Sequence, residues 1–276
     1  MKGAMGSRGP KRRPVELLRD LDRPTGWVLL VDGVEQSYVD VEDATHLEFE
    51  YMQHMAIVID VVQPRPEPLR SLHLGGGAMA MPRWVAATRP GSRQVVVESA
   101  GDVLDAIAPL GAVAETTVVV ADAADQLAAT RAGSVDLLIW DLYDGPRAVT
   151  ATLTVDGIGL MRNALSPAGL LLLNVSDMVP FDVVRPVLAA LRVAFDDALL
   201  LAEPTTLRGR RSGNCVLAAG RSVLPALRIA RRAASAPVRG RTLAGETLRR
   251  FIADALPPTE NDPLPPADEA SGRAFL

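Results

Sequence analysis

The chain has 276 residues, 48% of them hydrophobic, and a formal net charge of −4. That length suits one α/β core with appendages and can bury a sizeable interior, while the mild acidity gives no reason to expect nucleic acid as a partner. The one cysteine, Cys215, excludes an intrachain disulfide and a cysteine-built metal site.

Residues 1–13 carry basic side chains but no apolar segment, and read as a disordered basic arm rather than a signal peptide. No apolar run approaches ~18 residues, so neither a membrane span nor a membrane partner is expected, and a cytoplasmic location is the plain reading. Residues 14–68 read as a β-hairpin followed by a helix. Two β-rich runs within 26–41 flank Asp32-Gly33, a pair that favours a tight hairpin turn because both turn residues need positive φ. One alternating face of the hairpin holds Trp27, Leu29 and Val31 and could pair subunits into a homodimer. A two-stranded hairpin is marginal alone, so it must pack on something. A helix is expected over 47–62, closed by the proline-rich stretch 64–68.

Over 69–221 short apolar strands alternate with helical stretches: 71–74, 94–97, 117–120, 135–140 and 169–173. Continuous apolar strands of this kind indicate a parallel sheet covered on both faces. The runs 198–202 and 214–219 lie too close together for a crossover helix and imply an antiparallel pair. The expected fold is therefore a Rossmann-like α/β sheet of the class I methyltransferase type, mostly parallel with an antiparallel C-terminal hairpin, behind a small N-terminal β-hairpin layer. Residues 222–256 read as a helical extension, with arginine-rich helices over 224–234 and 245–255. Residues 257–276 read as a Pro-rich disordered tail.

In such sheets ligands bind at the carboxyl ends of the strands, and that is where the polar residues stand. Gly75-Gly76-Gly77 follows the first strand, where glycines permit a tight turn and close approach of a ligand. Gly75, Gly77 and Ala80 also fit a loose nicotinamide-cofactor fingerprint. Glu98 ends the next strand, suited to ribose hydroxyls. Asp122 ends the third, suited to an adenine amino group or to capping a helix. Asp141 and Asp144 follow the fourth, and two carboxylates there suit proton acceptance or neutralisation of a cation. His46, His54 and His73 lack metal-ligand spacing and read as structural, so no metal is expected.

Jointly these residues resemble the spermidine synthase (polyamine aminopropyltransferase) family, in particular its actinobacterial spermidine-synthase-like branch. The resemblance runs from about Gly26 to Ala255. It rests on the hairpin, Leu47-Glu-Phe-Glu-Tyr51, the Gly75–Gly77 loop, Glu98, Asp122, the Asp141/Asp144 pair and the segment Arg208–Val216. It implies that Gly75, Gly76, Gly77, Glu98, Asp122 and Ala123 hold S-adenosylmethionine or its decarboxylated form. It further implies that Asp141 and Asp144 form a catalytic pair, and that Tyr51, Gln53 and Tyr143 bind a small-molecule amine acceptor. The chain departs from the family pattern in three places. Ala78 stands where an aspartate grips the aminopropyl amine, Met52 follows Tyr51 in place of Gln or His, and Arg208, Arg210 and Arg211 occupy the stretch of a later acceptor-site tyrosine. Arginines close to a polyamine would repel it by ~1–4 kcal/mol per pair. Aminopropyl transfer is therefore the first reading, methyl transfer to a non-polyamine small molecule the second, and a non-catalytic relative the third. A nicotinamide oxidoreductase has only the glycine pattern behind it.

Overall fold

The computed structural model describes residues 14–144 and 147–264. The basic arm (1–13), Gly145-Pro146 and residues 265–276 lie outside the described residues. The chain order is β1 (Val15–Arg19), β2 (Gly26–Val31), β3 (Val34–Asp40), α1 (Glu50–Val62), β4 (Arg70–Leu74), α2 (Ala80–Thr88), β5 (Arg93–Val97) and α3 (Gly101–Ile107). Next come β6 (Thr116–Val119), α4 (Ala123–Ala129), β7 (Val135–Trp140), β8 (Tyr143–Asp144), β9 (Arg147–Ala148), α5 (Val155–Ala164) and β10 (Leu165–Asp177). The last are α6 (Val184–Ala194), β11 (Asp197–Ala202), α7 (Pro204–Leu207), β12 (Gly213–Gly220), α8 (Ala226–Ser235), β13 (Arg241–Ala244) and α9 (Gly245–Ile252).

Eight strands form the main sheet in the order β13-β11-β12-β10-β7-β4-β5-β6. Strands β10, β7, β4, β5 and β6 run parallel. Strand β12 pairs antiparallel with both β10 and β11, as the short connection between them requires. Sheet faces follow the alternation of side chains. On β10, Leu170 and Leu172 join α1, α2, α3 and α8 in one core cluster; Leu171, Leu173 and Val175 join α4, α5, α6 and α9 in the other. Leucine runs in these strands are thus buried on both sides, which is why they show no polar alternation.

Three features differ from the sequence expectation. The N-terminal layer has three strands, because β1 adds antiparallel to β2 with its exposed, charged edge outward. The helical extension contains β13, which closes the sheet against β11. The first part of the presumed tail is packed: Pro258 accepts a backbone hydrogen bond from Val155 N at 2.9 Å, and Leu264 rests against the second core cluster.

The hairpin turn is as expected, with φ of 53° at Asp32 and 75° at Gly33. Its apolar face is covered by its own chain. Leu29 and Val31 are buried in the cluster that holds α1 and α2, and Trp27 packs on that cluster. Leu29 and Val31 are therefore not open to a second subunit, while Trp27 is half-buried. Among the described residues no helix is long and apolar enough to cross a membrane.

Candidate active site

A cavity lies at the carboxyl ends of β4, β5, β7 and β10, roofed by the N-terminal layer and the first turn of α1. Its floor begins at the glycine loop. Gly75 N donates to Val97 O (2.9 Å) and Asp141 N donates to Leu74 O (2.8 Å), tying the ends of β4, β5 and β7 together. Gly75 has φ +93°, and a Cβ there would stand 2.1 Å from the Asp141 carbonyl oxygen, so only glycine fits. The loop also seats the roof: a Cβ on Gly77 would come within 3.2 Å of the Ser37 side chain on β3.

Glu98 follows β5 and is held by two backbone donors, Gly76 N (3.1 Å) on one oxygen and Ala100 N (2.9 Å) on the other. Each carboxylate oxygen keeps a second lone pair that is free to accept a hydroxyl. Asp122 caps α4 through Ala124 N (2.7 Å) while still lining the cavity with Ala123. Capping and ligand contact, posed as alternatives from sequence, are therefore compatible. Val103, Leu142 and Val149 complete an apolar slot between these carboxylates.

Opposite stands Asp141, just past the end of β7. Tyr51 Oη donates to its Oδ2 and Asn174 Nδ2 donates to its Oδ1, both at 2.9 Å. Burial raises the carboxyl to about 6, against the lowering effect of those two hydrogen bonds. Burial, then the neighbouring Asp141 charge, pushes both Tyr51 and Tyr143 upward, so both hydroxyls stay protonated near neutrality. Tyr143 Oη accepts from Ser176 N (2.9 Å) and donates to Asn174 O (3.3 Å), fixing the loop after β7 to β10. The chain thus presents one carboxylate with two donors locked on it and room in front.

Gly75, Gly76, Gly77, Glu98, Asp122, Ala123, Tyr51, Tyr143 and Asp141 all line this one cavity. Gln53 and Asp144 do not. Gln53 turns back to Leu47 O (2.8 Å) because it sits ~200° around the helix from Tyr51. Asp144 alternates with Tyr143 along β8, so it is exposed while the tyrosine faces the cavity.

Two contributors escaped the sequence reading: Asn174, and the β3 residues Glu35, Gln36 and Ser37. Asn174 carried the same mark as Glu98, a polar residue ending an apolar run. Ala78 is wholly buried in the core and absent from the cavity wall, so it neither attracts nor repels a ligand. Nor is Arg211 a free cation, since it pairs with Glu203 and, at 3.5 Å, with Glu50. Repulsion expected from this arginine is neutralised within the chain. Among the described residues no group of three or more His, Cys, Asp or Glu is placed to hold a metal.

No protein-family model matches the chain. Polyamine aminopropyltransferase 1 of Hyperthermus butylicus is 30% identical over 161 residues, 54% of this chain and 52% of that protein. The chain thus aligns with about half the length of this curated relative. A probable spermidine synthase from Corynebacterium glutamicum superposes with a TM-score of 0.82 at 26% identity, over 94% of this chain and 97% of that one. The chain is thus similar to both of these proteins. Human methyltransferase-like protein 13 in complex with SAH shares the fold alone, at a TM-score of 0.53 and 18% identity over 74% of this chain and 92% of that one. Both likenesses agree with the strand order above. The spermidine-synthase-like one also spans the roof of β1–β3, since it covers nearly the whole chain.

Proposed function

We propose that the protein transfers an aminopropyl group from decarboxylated S-adenosylmethionine to an amine acceptor. The observation that carries this reading is Asp141: a half-buried carboxylate held by Tyr51 and Asn174, lining the same cavity as Glu98 and Asp122. The two relatives named for aminopropyl transfer or spermidine synthesis support it.

The donor fits the residues present: Glu98 has lone pairs for the ribose hydroxyls, Asp122 and Ala123 border the adenine end, and Val103 and Leu142 flank the ring. Bound there, it supplies a carbon activated by a sulfonium leaving group. The acceptor nitrogen forms a C–N bond to that carbon as the C–S bond breaks, and the bonding pair departs on sulfur as a neutral thioether. Asp141 accepts the proton that the nitrogen loses. A carboxyl raised to about 6 is mostly ionised at neutral pH yet more basic than an ordinary carboxylate, which suits that task. Tyr51 and Asn174 keep it aimed. Residues of β2 and β3 cover the slot, and Glu35 adds a negative charge to its lining.

Methyl transfer is the second reading, favoured by one observation: the position after Gly77 carries no carboxylate for an aminopropyl amine. Calorimetric titration with S-adenosylmethionine, its decarboxylated form and methylthioadenosine separates the two, followed by mass spectrometry of the products with a diamine panel. Tighter binding of the decarboxylated donor and release of methylthioadenosine are expected. Preference for intact S-adenosylmethionine would put methyl transfer first, and binding of none would leave a non-catalytic relative.

A further inference from the structure

Asn174 does more than hold Asp141. It follows Leu173, which pairs in register with Trp140, so Asn174 and Asp141 emerge side by side from β10 and β7. The residue is 2% exposed and lines the cavity. Its Nδ2 is committed to Asp141 Oδ1, while its Oδ1 has no hydrogen-bond partner among the described residues. The opposite amide orientation would set a carbonyl oxygen against a carboxylate and strand the NH2 group, so hydrogen bonding fixes Oδ1 as the free end. Among the described residues several buried side-chain atoms lack partners, and of these Asn174 Oδ1 alone belongs to a residue lining this cavity. An acceptor left unpaired in a buried site is costly unless a ligand pairs it.

Building on the amine-transfer reading, we propose that Asn174 Oδ1 receives one N–H of the attacking nitrogen while Asp141 receives the other, making the site selective for primary amines. Two acceptors side by side suit a nucleophile with two N–H groups. A neutral amine bound in this way has only its lone pair left to direct at the donor carbon. When that pair forms the C–N bond, the proton on the Asp141 side passes to the carboxylate, and the N–H on Asn174 stays with the product. A hydroxyl or a secondary amine has one hydrogen to offer and leaves Oδ1 unpaired, and sites built around a required hydrogen bond discriminate on that basis.

The test compares butanediamine with its counterpart carrying one methyl on each nitrogen, in the wild-type protein and in Asn174→Ala. The wild type should favour the unmethylated diamine in kcat/KM by about tenfold or more. The variant should bring that ratio to within about twofold of one. Calorimetry on the methylthioadenosine-bound protein should show diamine binding weakened about fivefold in the variant, with methylthioadenosine affinity unchanged. If both amines lose equally and the ratio persists, Asn174 merely positions Asp141 and the proposal is wrong. A wild-type ratio near one overturns it as well. Should Asn174→Ala fail to bind methylthioadenosine, Asn174→Ser applies the same comparison with a smaller perturbation. Methylthioadenosine binding without transfer to any amine would instead sink the amine-transfer reading, and this inference with it.

Discussion

Tyr51 and Asp141, ninety positions apart in sequence, meet in a 2.9 Å hydrogen bond that joins the helix of the N-terminal layer to the end of a central strand. The bond holds Asp141 in its ionised form against the effect of burial. Removing it by Tyr51→Phe should raise the carboxyl further. A hydrogen bond to a charged group contributes ~1.5–3 kcal/mol, so the acid limb of the kcat/KM profile should move up by about one pH unit or more. A pH–rate series on the two proteins checks this, and an unmoved limb would separate Tyr51 from the proton transfer.

Asp141→Asn should abolish most turnover, by ~10²–10⁴-fold, the usual range for a lost general base. Its stability effect has the opposite sign. The folded-state carboxyl titrates at about 6 against an ordinary value of 3.8, so the folded state holds the proton more tightly. The resulting stabilisation is complete below the ordinary value and is lost as pH rises through 6, a difference of ~3 kcal/mol at most. Urea melts at pH 5 and pH 8 should therefore show Asp141→Asn gaining on the wild type at the higher pH. A gap independent of pH would refute the raised value.

Much of this cavity was legible because its strand-end carboxylates close apolar runs: Glu98 after three valines, Asp141 after Trp140. Periodicity located the strands, and the parallel-sheet rule then put those residues at one edge. What escaped depended on phase rather than composition. Gln53 and Asp144 are the right residue types beside the right neighbours, but a helix turns two positions by ~200° and a strand turns one by ~180°. Strands β1 and β13 were missed because edge strands carry charge and need no continuous apolar run.

Glu98→Gln tests the donor end of the site. Glutamine keeps one acceptor oxygen for one of the two backbone donors, Gly76 N or Ala100 N, and forfeits the other. It also withdraws the charge that would receive the ribose. Methylthioadenosine affinity should fall about tenfold or more by calorimetry, with the acid limb of any residual activity unmoved. Unchanged affinity would remove Glu98 from the donor site.

Gly75→Ala addresses the joint between donor and acceptor halves. The substitution asks a Cβ to enter at φ +93° and to occupy space 2.1 Å from the Asp141 carbonyl oxygen. Two penalties combine, backbone strain of ~1–3 kcal/mol and a clash that the backbone must relieve by moving. The group displaced is the carbonyl of Asp141, a residue whose own N–H is bonded to Leu74 O. The variant should therefore lose about 2–4 kcal/mol of stability in urea melts. It should also lose turnover with the proton acceptor still present, because reacting groups displaced by ~1 Å can cost ~10²-fold. Gly33→Ala is the control, since Gly33 also has positive φ, +75°, but nothing within 4 Å of a Cβ. It should show the strain alone, with activity retained. Equal losses of activity in the two variants would mean that the contact with Asp141 plays no part.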